Sequence, residues 1–250
     1  MRELRIISVP VSVEIRPQDC LARILLNALR HRRLSLRKGD ILVVKHKIVS
    51  KAEDRFVLLD SVKTTPASRA WGRRYKVDAR VIELALRESK SIIRRKKGVL
   101  ISETQHGFIC ANSGVDVSNV DGGEHALLLP EDPDRSARRL YKELRKLAGL
   151  SIPIIISDSF GRPWREGVTE AAIGVAGMKA IHDYRGRRDP HGYSLRVTLD
   201  AVADELACAA GLLSSKLTRT PFVIIRGFPY QPGRGSSRSL LRPAEQDLFR

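Results

Sequence analysis

The sequence predicts a mixed α/β (α+β) fold in one unit spanning residues 1–250, and three observations carry that expectation. Short apolar runs, Ile41-Leu42-Val43-Val44, Ile152 to Ile156 and Phe222 to Ile225, have the length and composition of strands buried on both faces. Between them stand stretches whose apolar residues recur at helical spacing. No repeat or low-complexity linker divides the chain. At 42% hydrophobic and 29% charged, 250 residues suffice to bury a substantial core, which excludes a disordered or fibrous protein.

Taken in order, Leu4 to Val9 reads as a strand, and Asp19 opens a helix in which Leu21, Ile24, Leu25 and Ala28 share one face. The Lys38-Gly39-Asp40 turn leads into the Ile41 strand. Asp78 is placed to N-cap a helix through Val81, Leu84, Ala85 and Glu88. Val99 to Ile101 and Gly107 to Cys110 form two short strands across a polar turn at Thr104 to His106. A loop with Pro130, Asp132, Pro133 and Asp134 precedes a helix whose Ala137, Leu140, Tyr141, Leu144 and Leu147 make one stripe. Ile152 to Ile156 and Ser194 to Thr198 are further strands, Val202, Leu206, Ala209 and Leu213 mark a late helix, and Phe222 to Ile225 is the last strand.

Lys and Arg number 45 against 28 Asp and Glu, a formal charge of +17. Such a charge suits a nucleic-acid binder or an enzyme of polyanionic substrates, because a positive field concentrates anions around a cleft. The basic residues form short groups, Arg30 to Arg33, Arg73 to Lys76, Arg94 to Lys97 and Arg185 to Arg188, with no basic tail. Aromatics are 5% and no strand interleaves them with Lys and Arg, so the expectation is no nucleic-acid partner. No apolar run nears the roughly 20 residues that cross a bilayer, and no signal-peptide core follows Met1; no membrane association and a cytoplasmic location are expected. Cys20, Cys110 and Cys208 lack metal spacing and read as buried reduced thiols.

The most informative segment is Ile154-Ile155-Ile156-Ser157-Asp158-Ser159-Phe160-Gly161-Arg162. A buried strand ending in a carboxylate and a hydroxyl brings two hard oxygen donors to a sheet's carboxyl edge, suited to Mg²⁺ or Mn²⁺ carrying phosphate. The competing reading is a turn Asp with Gly161 and Pro163 ending the strand. In Cys110 to Asn119 a strand again runs into a small-residue loop, bearing Asp116 and Asn119; two such loops would share a cation, whereas alone this one reads equally as an Asx turn. Val44 to Glu53 follows another buried strand, and Lys47 and Lys51 there either face an anion together or form a solvated basic stretch. No Gly-x4-Gly-Lys-Ser/Thr occurs, so a P-loop is excluded. Gly233-Arg234-Gly235 reads as a flexible turn, and His182 and His191 receive no role.

The series Val49-Ser50-Lys51-Ala52-Glu53, then Ala111 to Asn119, then Ser157-Asp158-Ser159-Phe160-Gly161-Arg162-Pro163-Trp164-Arg165 closely resembles the coenzyme F420-0:L-glutamate ligase family. Similar stretches at Leu127 to Pro130, Ala172 to Gly177, Ala203 to Leu206 and Val223 to Gly227 extend the resemblance from about Leu42 to the C-terminus. It implies a two-lobed F420 gamma-glutamyl ligase-like fold, with mixed sheets flanked by helices and no fused flavin-reductase-like domain. It also implies a homodimer that adds L-glutamate to coenzyme F420-0, with further γ-linked glutamates possible, at the expense of GTP and through an acyl phosphate. Two divalent cations, Mg²⁺ or Mn²⁺, belong to that reading, with K⁺ as a further candidate. Residue by residue, Asp116 and Asp158 look like catalytic ligands of one cation and Ser159 a hydroxyl ligand of a second; His46, Lys47, Lys51 and Asn119 fall on nucleotide-binding positions. The alternatives are an amide ligase for another carboxylate acceptor and, from a different class, a basic nucleic-acid-binding protein.

The chain departs from the family pattern at three places. Pro10-Val11-Ser12-Val13-Glu14-Ile15 replaces an N-terminal Gly-Leu-Pro-type turn. Ser214-Ser215-Lys216-Leu217 stands where archaeal relatives carry a Met-Gly loop with an acidic metal ligand. A protonated lysine cannot ligate a cation, so either Lys216 contacts phosphate or the second metal is held differently. Ser159 stands for the commoner Thr and keeps the hydroxyl.

Overall fold

The computed structural model of the chain describes residues 3–214 and 217–247. In chain order the elements are β1 (Arg5–Val9), α1 (Leu21–His31), β2 (Ile41–Lys45), α2 (His46–Ala52), β3 (Phe56–Leu58), α3 (Pro66–Tyr75), α4 (Ala79–Arg87), β4 (Ser89–Lys96) and β5 (Val99–Thr104). They continue with β6 (Ile109–Ala111), β7 (His125–Leu127), α5 (Pro133–Ala148), β8 (Ile154–Arg162), β9 (Arg165–Ala176), β10 (His182–Asp183), β11 (Leu199–Asp200), α6 (Val202–Gly211) and β12 (Phe222–Arg226). The fold is mixed α/β, as the sequence predicts.

The three apolar runs lie side by side in a five-stranded sheet of order β1-β12-β2-β8-β9, in which only β2 and β8 pair in parallel. Successive side chains of a strand point to opposite faces, and the cores divide accordingly. Leu42, Val44, Ile154, Ile156, Phe222 and Ile224 join Leu25 and Leu29 of α1 and Leu140 and Leu144 of α5 on one face. Ile41, Val43, Ile155, Val223 and Ile225 join Ala203, Leu206 and Ala210 of α6 on the other. Burial on both faces explains why these strands read as unbroken apolar runs. Each fully buried Ile, Leu or Phe contributes about 1.5–3 kcal/mol.

A second lobe carries its own core, Ile82, Leu84 and Ala85 of α4 against Leu100, Val115, Ala126 and Leu128. It contains the antiparallel sheet β4-β5-β6 and the pair β3-β7. Asp78 caps α4 by accepting from the Arg80 amide, and Asp132 caps α5 by accepting from that of Arg135 at 2.8 Å. Where α5 meets β9, Gly174 admits no side chain, since a Cβ would lie 2.4 Å from the Pro133 carbonyl oxygen. Asp134 fixes the same junction by accepting from the amides of Val175 at 2.8 Å and Ser237 at 2.9 Å.

Three expectations are corrected. α1 starts at Leu21 with Cys20 as N-cap; the Asp19 carboxylate instead closes the preceding turn by accepting from the Arg16 amide at 2.8 Å. Ser194 to Thr198 is not a strand: Ser194 makes one isolated bridge with Arg188, and the strand there is the two-residue β11, paired with β10. Its alternating pattern has no face to bury, and Val197 is 85% exposed. The Ile154 strand does not stop before Asp158 but runs to Arg162, paired with β9 throughout. Cys110 is buried, whereas Cys20 and Cys208 are only partly so, and all three are free. Among the described residues, no helix is long and apolar enough to cross a membrane.

Candidate active site

At the carboxyl end of the parallel pair, Lys45 is the last residue of β2 and pairs with Ser157 of β8. Beyond it the chain turns at once into α2, while β8 continues through Asp158 and Ser159 beside β9 alone. The β8–β9 register shifts between Ile156 and Ser157, a bulge at the point where the strand changes from buried apolar to polar. Asp204 of α6 accepts from the Ala172 amide beside that bulge at 2.7 Å, and its burial pushes its carboxyl above the usual range.

These edges open on a cavity of about 930 Å³. His46, Lys47, Lys51, Asp116, Asn119, Asp158 and Ser159 all line it, so seven residues singled out from separate stretches of sequence share one wall system. Lys216 lies outside the described residues; its neighbours Ser214 and Leu217 line the same cavity.

Each acidic group there is matched to a base. His46, 2% exposed, lies with Nε2 3.1 Å from Asp158 Oδ1. Burial holds its imidazole below the usual range, against the pull of Asp158, so the neutral ring donates from Nε2. Its Nδ1 is buried without a partner, consistent with the unprotonated nitrogen of that tautomer. Asp158 Oδ1 also accepts from the Ser159 amide at 2.7 Å. Lys47 Nζ reaches Asp116 Oδ2 at 2.7 Å and the Ser118 carbonyl at 2.8 Å. Asp116 Oδ1 accepts from the Ser118 amide at 2.7 Å, so the Asx turn suggested by the sequence is formed while the other oxygen faces Lys47. Burial works to raise the Asp116 pKa, but the Lys47 and Ser118 hydrogen bonds outweigh it and hold the carboxyl below its usual range. Lys51, 6% exposed, pairs with Glu14 and donates to the Val120 carbonyl at 3.2 Å.

Sequence reasoning missed Glu170. It sits on β9 directly opposite Ser159, pairs with Lys45, and accepts from the Ser157 and Ser159 hydroxyls, each at 2.7 Å. Burial again works to raise its pKa, and the Lys45 charge and bond followed by the two hydroxyls overcome it. The sequence carried no sufficient signal: the turn pairs Arg162 with Arg165, and an even count from it sets Val168 opposite Ser159, whereas a register shift between Gly161 and Arg162 brings Glu170 there. Cys110, near Asp158, is pushed up to about 12, first by burial and then by that carboxylate, so it stays a thiol.

Oxygen donors only, from Asp116, Asp158 and Ser159 with Glu170 behind it, suit a hard divalent cation, and four neighbouring basic side chains suit phosphate. In a mixed α/β fold, such a cleft has the chemistry of a binding site for anionic ligands. Comparison with known proteins makes the class specific, because the model of the F420-0:gamma-glutamyl ligase family matches residues 11–227. The chain belongs to that family. Its relatives include the coenzyme F420:L-glutamate ligase of Methanopyrus kandleri, 40% identical over 252 residues, covering 99% of this chain and 98% of that protein. Those of Methanothermobacter thermautotrophicus, at 44% identity with 93% of both chains covered, and Methanocaldococcus jannaschii, at 41% with 85% of both, carry the same name.

Proposed function

We propose that this protein is a GTP-dependent ligase of coenzyme F420 biosynthesis that joins L-glutamate to coenzyme F420-0. The observation that carries the reading is the convergence of Asp116, from a loop of the second lobe, and Asp158, from the central sheet, on the cavity that also holds Lys47 and Lys51. Relatives named coenzyme F420:L-glutamate ligase, matched over nearly their whole length, support this choice of acceptor.

In the reaction a carboxylate oxygen of F420-0 attacks the γ-phosphorus of GTP and the bond to GDP breaks. The glutamate amine nitrogen then attacks the acyl carbon, loses its proton, and phosphate leaves. Divalent cations, when bound, neutralise charge on the transferred phosphoryl group. The chain's residues do the holding. Asp116 and Asp158 supply carboxylates for one cation, each already oriented, Asp158 by neutral His46 and the Ser159 amide, Asp116 by its Asx turn. Ser159 supplies a hydroxyl for the second. Lys47 and Lys51, with Asn119 on the same wall, face the nucleotide, and the +17 charge draws in three anionic substrates.

The test is mass spectrometry of F420-0 incubated with the protein, L-glutamate, GTP and Mn²⁺ or Mg²⁺, with ATP and metal-free controls. Glutamyl products that need GTP and metal are expected. Asp158→Ala is expected to keep its fold and lose turnover by at least about 10²-fold; full activity in that variant removes the site assignment.

A further inference from the structure

Alternation along β8 separates its two functional side chains. Asp158 has the parity of Ile154 and Ile156 and meets His46; Ser157 and Ser159 have that of Ile155, on the side of α6. Both hydroxyls there end on one carboxylate, Ser159 Oγ donating to Glu170 Oε1 and Ser157 Oγ to Oε2, each at 2.7 Å. Lys45 of β2, which shares the parity of Ile41 and Val43, pairs with Glu170 from the same side. α6 closes the back: Cys208 Sγ contacts the Glu170 carbonyl oxygen at 3.1 Å, and a Cβ on Gly211 would lie 2.7 Å from Glu170 Cγ. The Glu170 side chain is 10% exposed, lines the cavity and is held by Lys45, Ser157, Ser159 and α6.

This geometry decides what Ser159 offers the cavity. A hydroxyl has one proton and two lone pairs. With the proton committed to Glu170, the lone pairs are left for a ligand, as a cation requires; an uncommitted hydroxyl would equally offer its proton to a phosphate oxygen. Carboxylates that take the proton of a metal ligand fix its orientation and raise its basicity.

We infer that Glu170 is the positioning residue of the second cation site, holding Ser159 as an acceptor. The inference rests on the two-cation reading proposed above. Because Asp158 belongs to the opposite side of the strand, the two cation positions are separable by mutation.

The experiment titrates Mn²⁺ into the full chain with GDP and without F420-0, following free Mn²⁺ by electron paramagnetic resonance, so no turnover enters the readout. The wild type is expected to take up two Mn²⁺. Glu170→Gln and Ser159→Ala are each expected to weaken one of the two by about 10- to 100-fold. The double variant is expected to lose no more than the weaker single, since both act through one hydroxyl. Retention of both Mn²⁺ within twofold in E170Q, or losses that add, overturns the inference. If the wild type takes up no Mn²⁺ with GDP, the cation reading falls with it, an outcome distinct from a wild type and E170Q that bind alike. Should E170Q fail to fold, Gly211→Ala, which presses on Glu170 and deletes no polar group, is expected to weaken the same single Mn²⁺; an unchanged titration there overturns the inference equally.

Discussion

Gly211→Ala sets two magnitudes of opposite sign against each other. Gly211 ends α6 without a positive φ, so propensity alone makes alanine stabilising by at most about 1 kcal/mol. Its Cβ would, however, lie 2.7 Å from Glu170 Cγ, where carbon pairs rest at about 3.5–4.0 Å. A flexible side chain would swing aside cheaply, but this one is tied at its far end to Lys45, Ser157 and Ser159. Moving Cγ by roughly an ångström breaks at least one bond to a charged group, worth about 1.5–3 kcal/mol. The loss wins, leaving a net destabilisation of about 0.5–2 kcal/mol and a Tm lower by about 1–8 °C for a chain of this length. Thermal unfolding followed by circular dichroism measures it. A Tm equal to or above that of the wild type would refute the claim that Glu170 is held rigidly.

Other outcomes follow from the charge pairs. Asp40, fully buried, accepts from Arg226 Nε at 2.7 Å, Arg226 Nη2 at 2.8 Å and the Arg37 amide at 2.8 Å, so Asp40→Ala strands the guanidinium and is expected to cost about 3–5 kcal/mol in urea unfolding; a loss under about 1 kcal/mol would show the pair to be dispensable. His46 is held below the unfolded value of about 6.5, and Asp116 and Glu170 below the ordinary values of their carboxyls, so the unfolded chain binds more protons in those windows. Stability from His46 is therefore complete above about pH 6.5 and lost as pH falls through its folded value, with the carboxylates following at lower pH. Tm is expected to rise from pH 5 to 7, and His46→Gln to flatten that rise; an unflattened profile excludes His46 as its source. Because lysines occupy the cleft carboxylates, Mn²⁺ affinity is expected to be at least about tenfold higher with GDP than without, as phosphate takes over the lysines. Equal affinity in both titrations would count against that exchange.

The strands buried on both faces were legible because solvent exclusion on two sides leaves no reason for a polar residue: Ile41 to Val44 and Phe222 to Ile225 are found where the pattern placed them, and the Ile152 to Ile156 run is a strand from Ile154 onward. Elements with one wet face were harder. The outer half of β9, Arg165 to Glu170, is polar and mostly exposed, held by pairing with β8 and not by burial, and it carries the residue that sequence reasoning lost. α2 was hidden for the opposite reason. It is buried at six of seven positions, so His46-Lys47-Ile48-Val49-Ser50-Lys51-Ala52 shows no amphipathic stripe, and His46 and Lys51 are buried against Asp158, Glu14 and Val120 in place of solvent. The site residues were found through resemblance and oxygen-donor chemistry, whereas their partners Lys45, Glu14 and Glu170 are visible only once the sheet register is known.

That register also shows how a cleft with so much charge exists in a folded protein before any substrate arrives. Two bare carboxylates converging on a half-buried wall would repel each other and resist desolvation, and one would take up a proton. Here each carboxylate has a partner of its own, drawn from consecutive residues that diverge as β2 passes into α2: the Lys45 cation to Glu170, the neutral His46 donor to Asp158, the Lys47 cation to Asp116. A strand sends neighbouring side chains to opposite faces, and the first helical turn adds a third direction, so three adjacent residues reach three separate elements. The β2–α2 junction therefore organises the cleft, and its position at the carboxyl end of the parallel pair follows from the one place where the chain must leave the sheet while β8 runs on.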